Sequence, residues 1–146
     1  MITLPFRLSH LGEIALGREE LLQQACFGSS MFGALDRWPG PAWSLADGSG
    51  RILGCLGALL IRDGAVLWAV LSDAARANRY GLHRAARCQL DLVERTVPAK
   101  CMLTAVRTGF EPGHRWVSRL GFARHGGFEI DNQLYERYVK LVHRQR

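Results

Sequence analysis

The stretch from Asp73 to His83 contains the side chains whose types and spacing could bind an anion. Arg76, Asn78, Arg79 and Gly81 stand directly before a predicted helix. A helix N-terminus offers unpaired backbone N–H donors and a partial positive charge, both of which favour a phosphate group. The other interpretation is that Gly81 only begins the helix and that the arginines are solvated.

The charge balance also indicates an anionic partner without naming one. The chain has 19 Lys and Arg residues against 13 Asp and Glu, which gives a net charge of +6. Nucleic acid, a phosphate-bearing cofactor and an acidic protein surface would each fit. The basic residues form no continuous block, so nucleic acid is not supported beyond the net charge.

Three side chains could donate or accept a proton: Tyr80, His83 and His114. For the two histidines the alternative is a surface or capping role. Cys55 lies in a predicted central strand, where a buried small hydrophobic residue is the simpler interpretation. A cysteine nucleophile needs a nearby base and an exposed thiolate, and the sequence indicates neither.

The cysteines do not predict a metal site. Cys26, Cys55, Cys88 and Cys101 are widely spaced and include no C-x-x-C pair. Metal sites usually take ligands in local pairs, and small secreted domains carry denser disulfide frameworks. We therefore expect reduced, mostly buried thiols and no metal, with zinc or a disulfide as the alternative.

The length and composition predict one globular domain over residues 1–146, since 146 residues with 48% hydrophobic content suit one core. No run reaches the roughly 18 apolar residues needed to cross a bilayer. The first residues lack a basic stretch followed by an apolar core, so we expect no secretory signal and no membrane association. The expected location is the cytoplasm.

The hydrophobic periodicity predicts alternating strands and helices. Strands are expected at Ile2–Phe6, Ala42–Ala46, Arg51–Ile61, Ala65–Ser72, Cys101–Val106, Phe122–Ile130 and Leu134–Val142. Helices are expected at Glu13–Phe27, 82–97 and Pro112–Leu120, with Gly28–Pro41 as a loop that includes a helical turn at Met31–Leu35. The uniformly apolar run from Val66 to Leu71 predicts a central strand that is covered on both faces.

This element order resembles that of the GNAT (Gcn5-related N-acetyltransferase) proteins. The most specific local match is Arg115–Phe122, which looks like the short helix of the family that ends in Gly-Phe before the last hairpin. The resemblance covers roughly residues 40–142. It implies an α/β (α+β) fold with a mixed, mostly antiparallel six- to seven-stranded sheet and helices on both faces. It also implies a splay between the fourth and fifth strands that holds the pantetheine arm of coenzyme A.

The resemblance implies acetyl-CoA or CoA as the cofactor. GNAT proteins hold the pyrophosphate in a Q/R-x-x-G-x-G/A loop, which corresponds here to Asp73–His83. His83 departs from the usual Gly or Ala, and its side chain would crowd the phosphate. The cofactor-binding residues that the resemblance implies are Leu71, Arg76, Asn78, Arg79, Gly81, Leu82 and His83.

The catalytic pattern of the family is eroded in this chain. Many GNAT enzymes place a tyrosine four residues before the Gly of Gly-Phe to protonate the thiolate, and that position is Val117 here. The usual carboxylate on the fourth strand is also missing, and only Asp73 lies near its end. Proton-transfer groups typically contribute about 10²–10⁴-fold each. The substitute catalytic candidates are Asp73, Tyr80 and His114.

The departures are similar to those of the small GNAT-like proteins of short-tailed bacteriophages. The similarity lies in the Met-Ile-Thr start, in Trp68 and Ser72-Asp73 before the loop, and in His114-Arg115-Trp116. It implies an accessory protein of the virion or of its assembly, in the host cytoplasm or the particle, whose partners are other phage structural proteins or a second copy. The candidate contact residues are Trp38, Trp43 and Trp116. The alternative is an active acetyl-CoA-dependent N-acetyltransferase.

Overall fold

The computed structural model describes residues 1–15, 35, 37, 39–130 and 132–142. The strands are β1 Ile2–Pro5, β2 Ala42–Ala46, β3 Ile52–Ile61, β4 Gly64–Leu71, β5 Cys101–Arg107, β6 Ala123–Ile130 and β7 Gln133–Leu141. The described helices are α1 His10–Glu13, α2 Asp73–Ala77, α3 Arg79–Thr96 and α4 Glu111–Arg119. None of these helices is long and apolar enough to cross a membrane.

The strands form one sheet in the order β1-β2-β3-β4-β5-β7-β6. Every pairing is antiparallel except that of β4 with β5. The apolar strands β3 and β4 lie in the middle of the sheet, where β3 buries eight consecutive residues, from Ile52 to Leu59, and Val66–Val70 of β4 are half-buried. The predicted mixed, mostly antiparallel sheet is confirmed, and so is the central place of the apolar run.

Helices cover both faces of the sheet. On one face α3 buries Leu82, Ala86, Leu90 and Val93 in the main core, which Val117 of α4 joins. This is the stripe that the helical spacing predicts. On the other face α1 lies against β3, next to a smaller buried cluster that contains Ile14, Ala46, Ile52 and Cys55.

The segment between β4 and α3 differs from the prediction. Residues 73–77 form the separate helix α2, and α3 begins at Arg79 rather than at Leu82. The physical reason is two successive N-caps: the Ser72 hydroxyl accepts from the Ala75 N–H, and the Asn78 side chain accepts from the Gly81 N–H. Each cap satisfies a donor at a helix start, so the chain can start two helices here.

The N-terminal helix prediction needs a correction. The described helical turn is His10–Glu13, and Ile14 is extended with φ −78° and ψ 126°. The chain is therefore not helical across its predicted start at Glu13, because Ile14 instead packs into the smaller cluster. Residues 16–27 lie outside the described residues, as does most of the predicted turn at Met31–Leu35, of which Leu35 is helical.

The last helix and hairpin match the prediction. α4 ends at Arg119, and Gly121 follows with φ +99°, a conformation in which glycine is favoured after a helix. β6 and β7 then pair from Ala123 with Val139 to Ile130 with Gln133. The predicted turn is described at Asn132, and Asp131 lies outside the described residues.

Candidate functional site

The strands β4 and β5 separate along most of their length. Only residues Gly64–Val66 of β4 pair with β5, in parallel with Cys101–Leu103. Along its full length, from Cys101 to Arg107, β5 pairs with β7, whereas β4 continues beyond Val66 to Leu71 without pairing with β5. The Thr104 hydroxyl donates to the Leu67 carbonyl oxygen at 3.2 Å where the strands begin to diverge. The splay that the resemblance implies is therefore present, and we call it the wedge.

A cavity of about 90 Å³ lies beside the wedge, between the sheet and the helices α3 and α4. Its walls are mostly apolar and include Trp43 on β2, Trp68 on β4, and Trp116 and Val117 on α4. Among the residues that line it, none is charged. The cavity can therefore accept an apolar or neutral polar group, but it offers no side chain to balance an ionic one.

Two indole N–H groups at this cavity are buried without a partner. The Nε1 atoms of Trp68 and Trp116 make no hydrogen bond to any described residue. A buried Trp N–H usually finds an acceptor, and leaving it unpaired costs about 1–3 kcal/mol. The Trp68 ring is held in place by an edge-on contact with Phe6, 5.6 Å between ring centroids. Trp68 thus packs with the smaller cluster on the α1 face of the sheet, whereas Trp116 packs against the main core on the opposite face.

The predicted phosphate loop makes contacts within the chain. The Asn78 Oδ1 accepts from the Gly81 N–H at 3.2 Å, which uses one donor that an anion would need. The Arg76 guanidinium lies 4.9 Å from the centre of the Phe110 ring, so it joins α2 to the residue before α4. Cofactor binding by these residues stays a prediction.

The other predicted cofactor residues differ in how far they are exposed. Arg79 is exposed, whereas Leu71 and Leu82 are buried in the main core. His83 is half-buried, and its Nδ1 has no hydrogen-bond partner among the described residues. Of the whole predicted site, catalytic and cofactor-binding, no residue is among those that line the cavity.

Two predicted catalytic residues lie on the surface. Asp73 is exposed at the start of α2, and Tyr80 is 90% exposed in the first turn of α3. They lie beside the predicted phosphate loop in sequence, and neither is among the residues that line the cavity. Their catalytic role stays a prediction.

His114, the third catalytic candidate, belongs to a network on the far side of β5. Its Nε2 lies 3.1 Å from the Arg107 carbonyl oxygen and must donate to it, since a carbonyl only accepts. Its Nδ1 lies 2.7 Å from the Tyr138 hydroxyl and 3.2 Å from the Glu136 carboxylate, which also pairs with Arg124. The network joins α4 to β5 and β7, and so fixes the wall that carries Trp116.

A second hydrogen-bond network, on the other face of the sheet, was not expected from the sequence. The Ser44 hydroxyl lies 2.6 Å from His10 Nδ1 and 3.5 Å from the Cys55 sulfur. Cys55 and Ser44 are fully buried, and burial raises the pKa of the Cys55 thiol. The thiol therefore stays protonated and inaccessible, which agrees with the interpretation of Cys55 as a core residue.

The stability of the protein should fall at alkaline pH because of Cys55. Above its usual pKa of 9.0, the unfolded chain loses the thiol proton while the folded chain keeps it. Unfolding is then favoured by at most about 1.4 kcal/mol per pH unit for one proton. Burial, followed by the charge of Glu136, also raises the pKa of Tyr138 from its usual 10.0, which extends the fall above pH 10.

Urea unfolding between pH 8 and pH 10.5 measures this effect. Cys55→Ala should reduce the fall in unfolding free energy near pH 9, while Cys88→Ala at an exposed cysteine should leave it unchanged. An equal fall in both variants would contradict the assignment to Cys55.

The predicted interface tryptophans are core residues where they are described. Trp43 and Trp116 are half-buried against the main core and line the cavity, so they are not free contact residues. Trp38 lies outside the described residues. Among the described residues no group of His, Cys, Asp or Glu is arranged to hold a metal ion.

The comparisons with known proteins identify the fold. No protein-family model matches the chain, and no curated protein does either. Solved structures match along nearly its whole length. A GNAT-family acetyltransferase from Bacillus anthracis gives a TM-score of 0.69 at 11% identity, covering 95% of this chain and 93% of that one. A structure described as that of a candidate phosphinothricin N-acetyltransferase gives 0.76 at 11% identity, with 98% and 99% covered.

A third neighbour was solved with a ligand. The ribosomal L7/L12 alpha-N-protein acetyltransferase RimL, in complex with coenzyme A, gives a TM-score of 0.66 at 10% identity, with 96% and 93% covered. At these identities the likeness shows the fold and not the activity. The expected GNAT fold is confirmed, whereas the similarity to phage proteins stays a prediction.

Proposed function

We propose that this GNAT-fold protein binds an acyl-CoA thioester in the wedge between β4 and β5 and transfers the acyl group slowly or not at all. The observation that carries the proposal is the separation of β4 from β5 beside an uncharged cavity. RimL, a structural neighbour with this fold, was solved in complex with coenzyme A. A bound acyl-CoA would supply an activated acyl group.

The residues of the wedge suit the binding of such a ligand. The uncharged, mostly apolar cavity walls suit the pantetheine arm and a short acyl chain. At the surface, exposed Arg79 and the start of α3 suit the phosphates. The cap between Asn78 and Gly81 would have to open for the Gly81 N–H to take part.

Slow transfer of the acyl group is supported by the residues that line the cavity. Val117, at the position of the proton donor of the family, is buried and apolar, and no ionisable side chain is among those that line the cavity. Acyl transfer to an amine needs one group to take a proton and another to protonate the thiolate. Asp73 would have to act through water from the end of β4. The accessory role in a phage particle, with structural proteins or a second copy as partners, stays a prediction.

Calorimetric titration with acetyl-CoA and a melting curve test the proposal. Acetyl-CoA should raise the melting temperature, because a ligand at 100 times its dissociation constant stabilises the folded state by about 2.7 kcal/mol. Release of free thiol in the presence of simple amines should stay close to the uncatalysed rate.

A variant that fills the wedge provides the control. Ala69→Phe, at a residue that lines the cavity, should abolish binding, whereas Ala123→Phe at an exposed site on β6 should not. Absence of heat and of any thermal shift at millimolar acetyl-CoA in the unchanged protein would refute the proposal. Rapid release of free thiol would refute the proposal that the acyl group is transferred slowly or not at all.

A further inference from the structure

We infer that the cavity beside the wedge is an acyl-chain pocket, and that the acyl-CoA which this protein binds best carries an uncharged chain of about four carbons, as in butyryl-CoA. The inference rests on the proposed function and names the class of its substrate. It concerns the part of the acyl group beyond the thioester carbonyl, on the face of the sheet that α3 and α4 cover.

The position of the cavity connects it to the wedge. On β4 the cavity is lined by Leu67 and Ala69, which follow Val66, the last residue of this strand that pairs with β5. On β5 it is lined by Thr104, which follows the last paired residue, Leu103. Leu67 and Ala69 pack against the main core, so they face α3 and α4. The cavity therefore begins where the two strands part, and a thioester in the wedge would place its acyl chain beside it.

The helices close the cavity with buried apolar side chains. Ala86, Leu90 and Val93 of α3 and Val117 of α4 line it and belong to the main core. Protein interiors normally contain few voids larger than a water molecule, because unfilled space forfeits dispersion contacts. A space of about 90 Å³ bordered by this core is therefore unusual. An apolar chain that enters from the wedge recovers those contacts, whereas apolar cavities of this kind stay free of water.

The size of the cavity sets the length of the chain. An engineered apolar cavity of about 150 Å³ holds benzene, which has six carbons. By proportion, a volume of about 90 Å³ holds about three to four carbons. With the thioester carbonyl in the wedge, about three further carbons fill the cavity, which corresponds to a butyryl group. An acetyl group has one methyl beyond the carbonyl and leaves most of the space empty.

The lining of the cavity disfavours a charged chain. Gln89 on α3 and Thr104 on β5 line it with neutral polar side chains, and the Thr104 hydroxyl already donates to the Leu67 carbonyl oxygen. None of the residues that line the cavity is charged. A chain that ends in a carboxylate would be buried there without a compensating charge. Succinyl-CoA has the four acyl carbons of butyryl-CoA and a terminal carboxylate, so it should bind more weakly.

Calorimetric titration with CoA thioesters of increasing length tests the inference. Each methylene that leaves water should tighten binding about fourfold, so butyryl-CoA should bind roughly fifteenfold more tightly than acetyl-CoA. Octanoyl-CoA should bind no more tightly than butyryl-CoA, because further carbons would overpack the cavity. Succinyl-CoA should bind at least about tenfold more weakly than butyryl-CoA.

Two variants change the volume of the cavity in opposite directions. Ala86→Leu fills it from α3 and should lower the affinity for butyryl-CoA to that for acetyl-CoA. Val93→Ala enlarges it, so hexanoyl-CoA should then bind more tightly than butyryl-CoA. Ala123→Leu is the matched control, because it makes the same change as Ala86→Leu at an exposed residue of β6, and it should leave the length profile unchanged. Since two positions are tested, one variant that fails to fold does not end the experiment.

The outcomes are distinguishable. If acetyl-CoA and butyryl-CoA bind equally, the chain does not enter the cavity, and the inference is wrong while the proposed function stands. A steady gain in affinity up to octanoyl-CoA, or equal binding of succinyl-CoA and butyryl-CoA, would place the chain end in water and also overturn the inference. An unchanged length profile in both Ala86→Leu and Val93→Ala would mean that the cavity is a packing defect and not a pocket. If neither acetyl-CoA nor butyryl-CoA binds the unchanged protein, the proposed function fails and takes the inference with it.

Discussion

Replacement of Met102 by alanine should lower the free energy of unfolding by about 2–5 kcal/mol, the range for deleting a large buried aliphatic side chain. Met102 has no exposed surface and lies in the main core. It sits on β5 between Ala65 of β4 and Lys140 of β7, in the short stretch where β4 and β5 still pair. A cavity there should loosen the short paired stretch that joins the two halves of the described sheet.

Urea unfolding of Met102→Ala measures the loss, with Leu134→Ala as the control. Leu134 is also a large apolar residue on a strand, but it is 58% exposed, so its removal should change stability by less than about 0.5 kcal/mol. Equal losses in the two variants would show that burial of Met102 does not hold the junction together.

Gly57→Ala should both destabilise the protein and displace Trp68. A Cβ at residue 57 would lie 2.6 Å from a ring carbon of Trp68 and 2.8 Å from the Ala42 Cβ, well inside contact distance. Overpacking of this kind costs about 1–3 kcal/mol. The Trp68 ring must shift against Phe6, and Trp68 is also one of the residues that line the cavity, so we expect acetyl-CoA binding to weaken together with stability.

Gly48→Ala is the matched control, because a Cβ there meets no atom within 4 Å. Urea unfolding and the intrinsic fluorescence of the protein should both change in Gly57→Ala and stay the same in Gly48→Ala. An unchanged unfolding midpoint in Gly57→Ala would mean that the sheet yields at this point at no cost, and the packing account of Trp68 would be wrong.

Most of the sheet was predictable because its signals are local. The apolar run of β4, the turn residues after β3 and the glycine after α4 each act on their own segment, and the strands were found within one or two residues. Helix α2 was missed for a local reason as well. Ser72 and Asn78 are good N-cap residues, but the resemblance to the family implies a loop here rather than two capped helices.

The site was harder to predict because it depends on contacts between distant segments. The hydrophobic pattern does not show that β5 pairs with β7 along its whole length and leaves β4 early, and the splay was expected only from the family resemblance. The residues that line the cavity come from strands β2 to β5, from helices α3 and α4 and from the segment just after α4, and only folding brings these elements together. The same is true of His10, Ser44 and Cys55, whose hydrogen bonds join three separate segments.

The two borders of the sheet limit how copies of this chain could join. The β1 border is four residues long and ends in Pro5, which has no N–H to donate. The β6 border changes register between Arg124 and Gly127, where Gly126 has φ +112°. Such interruptions discourage a neighbouring chain from adding its own strand. Higher-order structures of this protein would therefore be built through its helical or loop surfaces and not by continuation of the sheet.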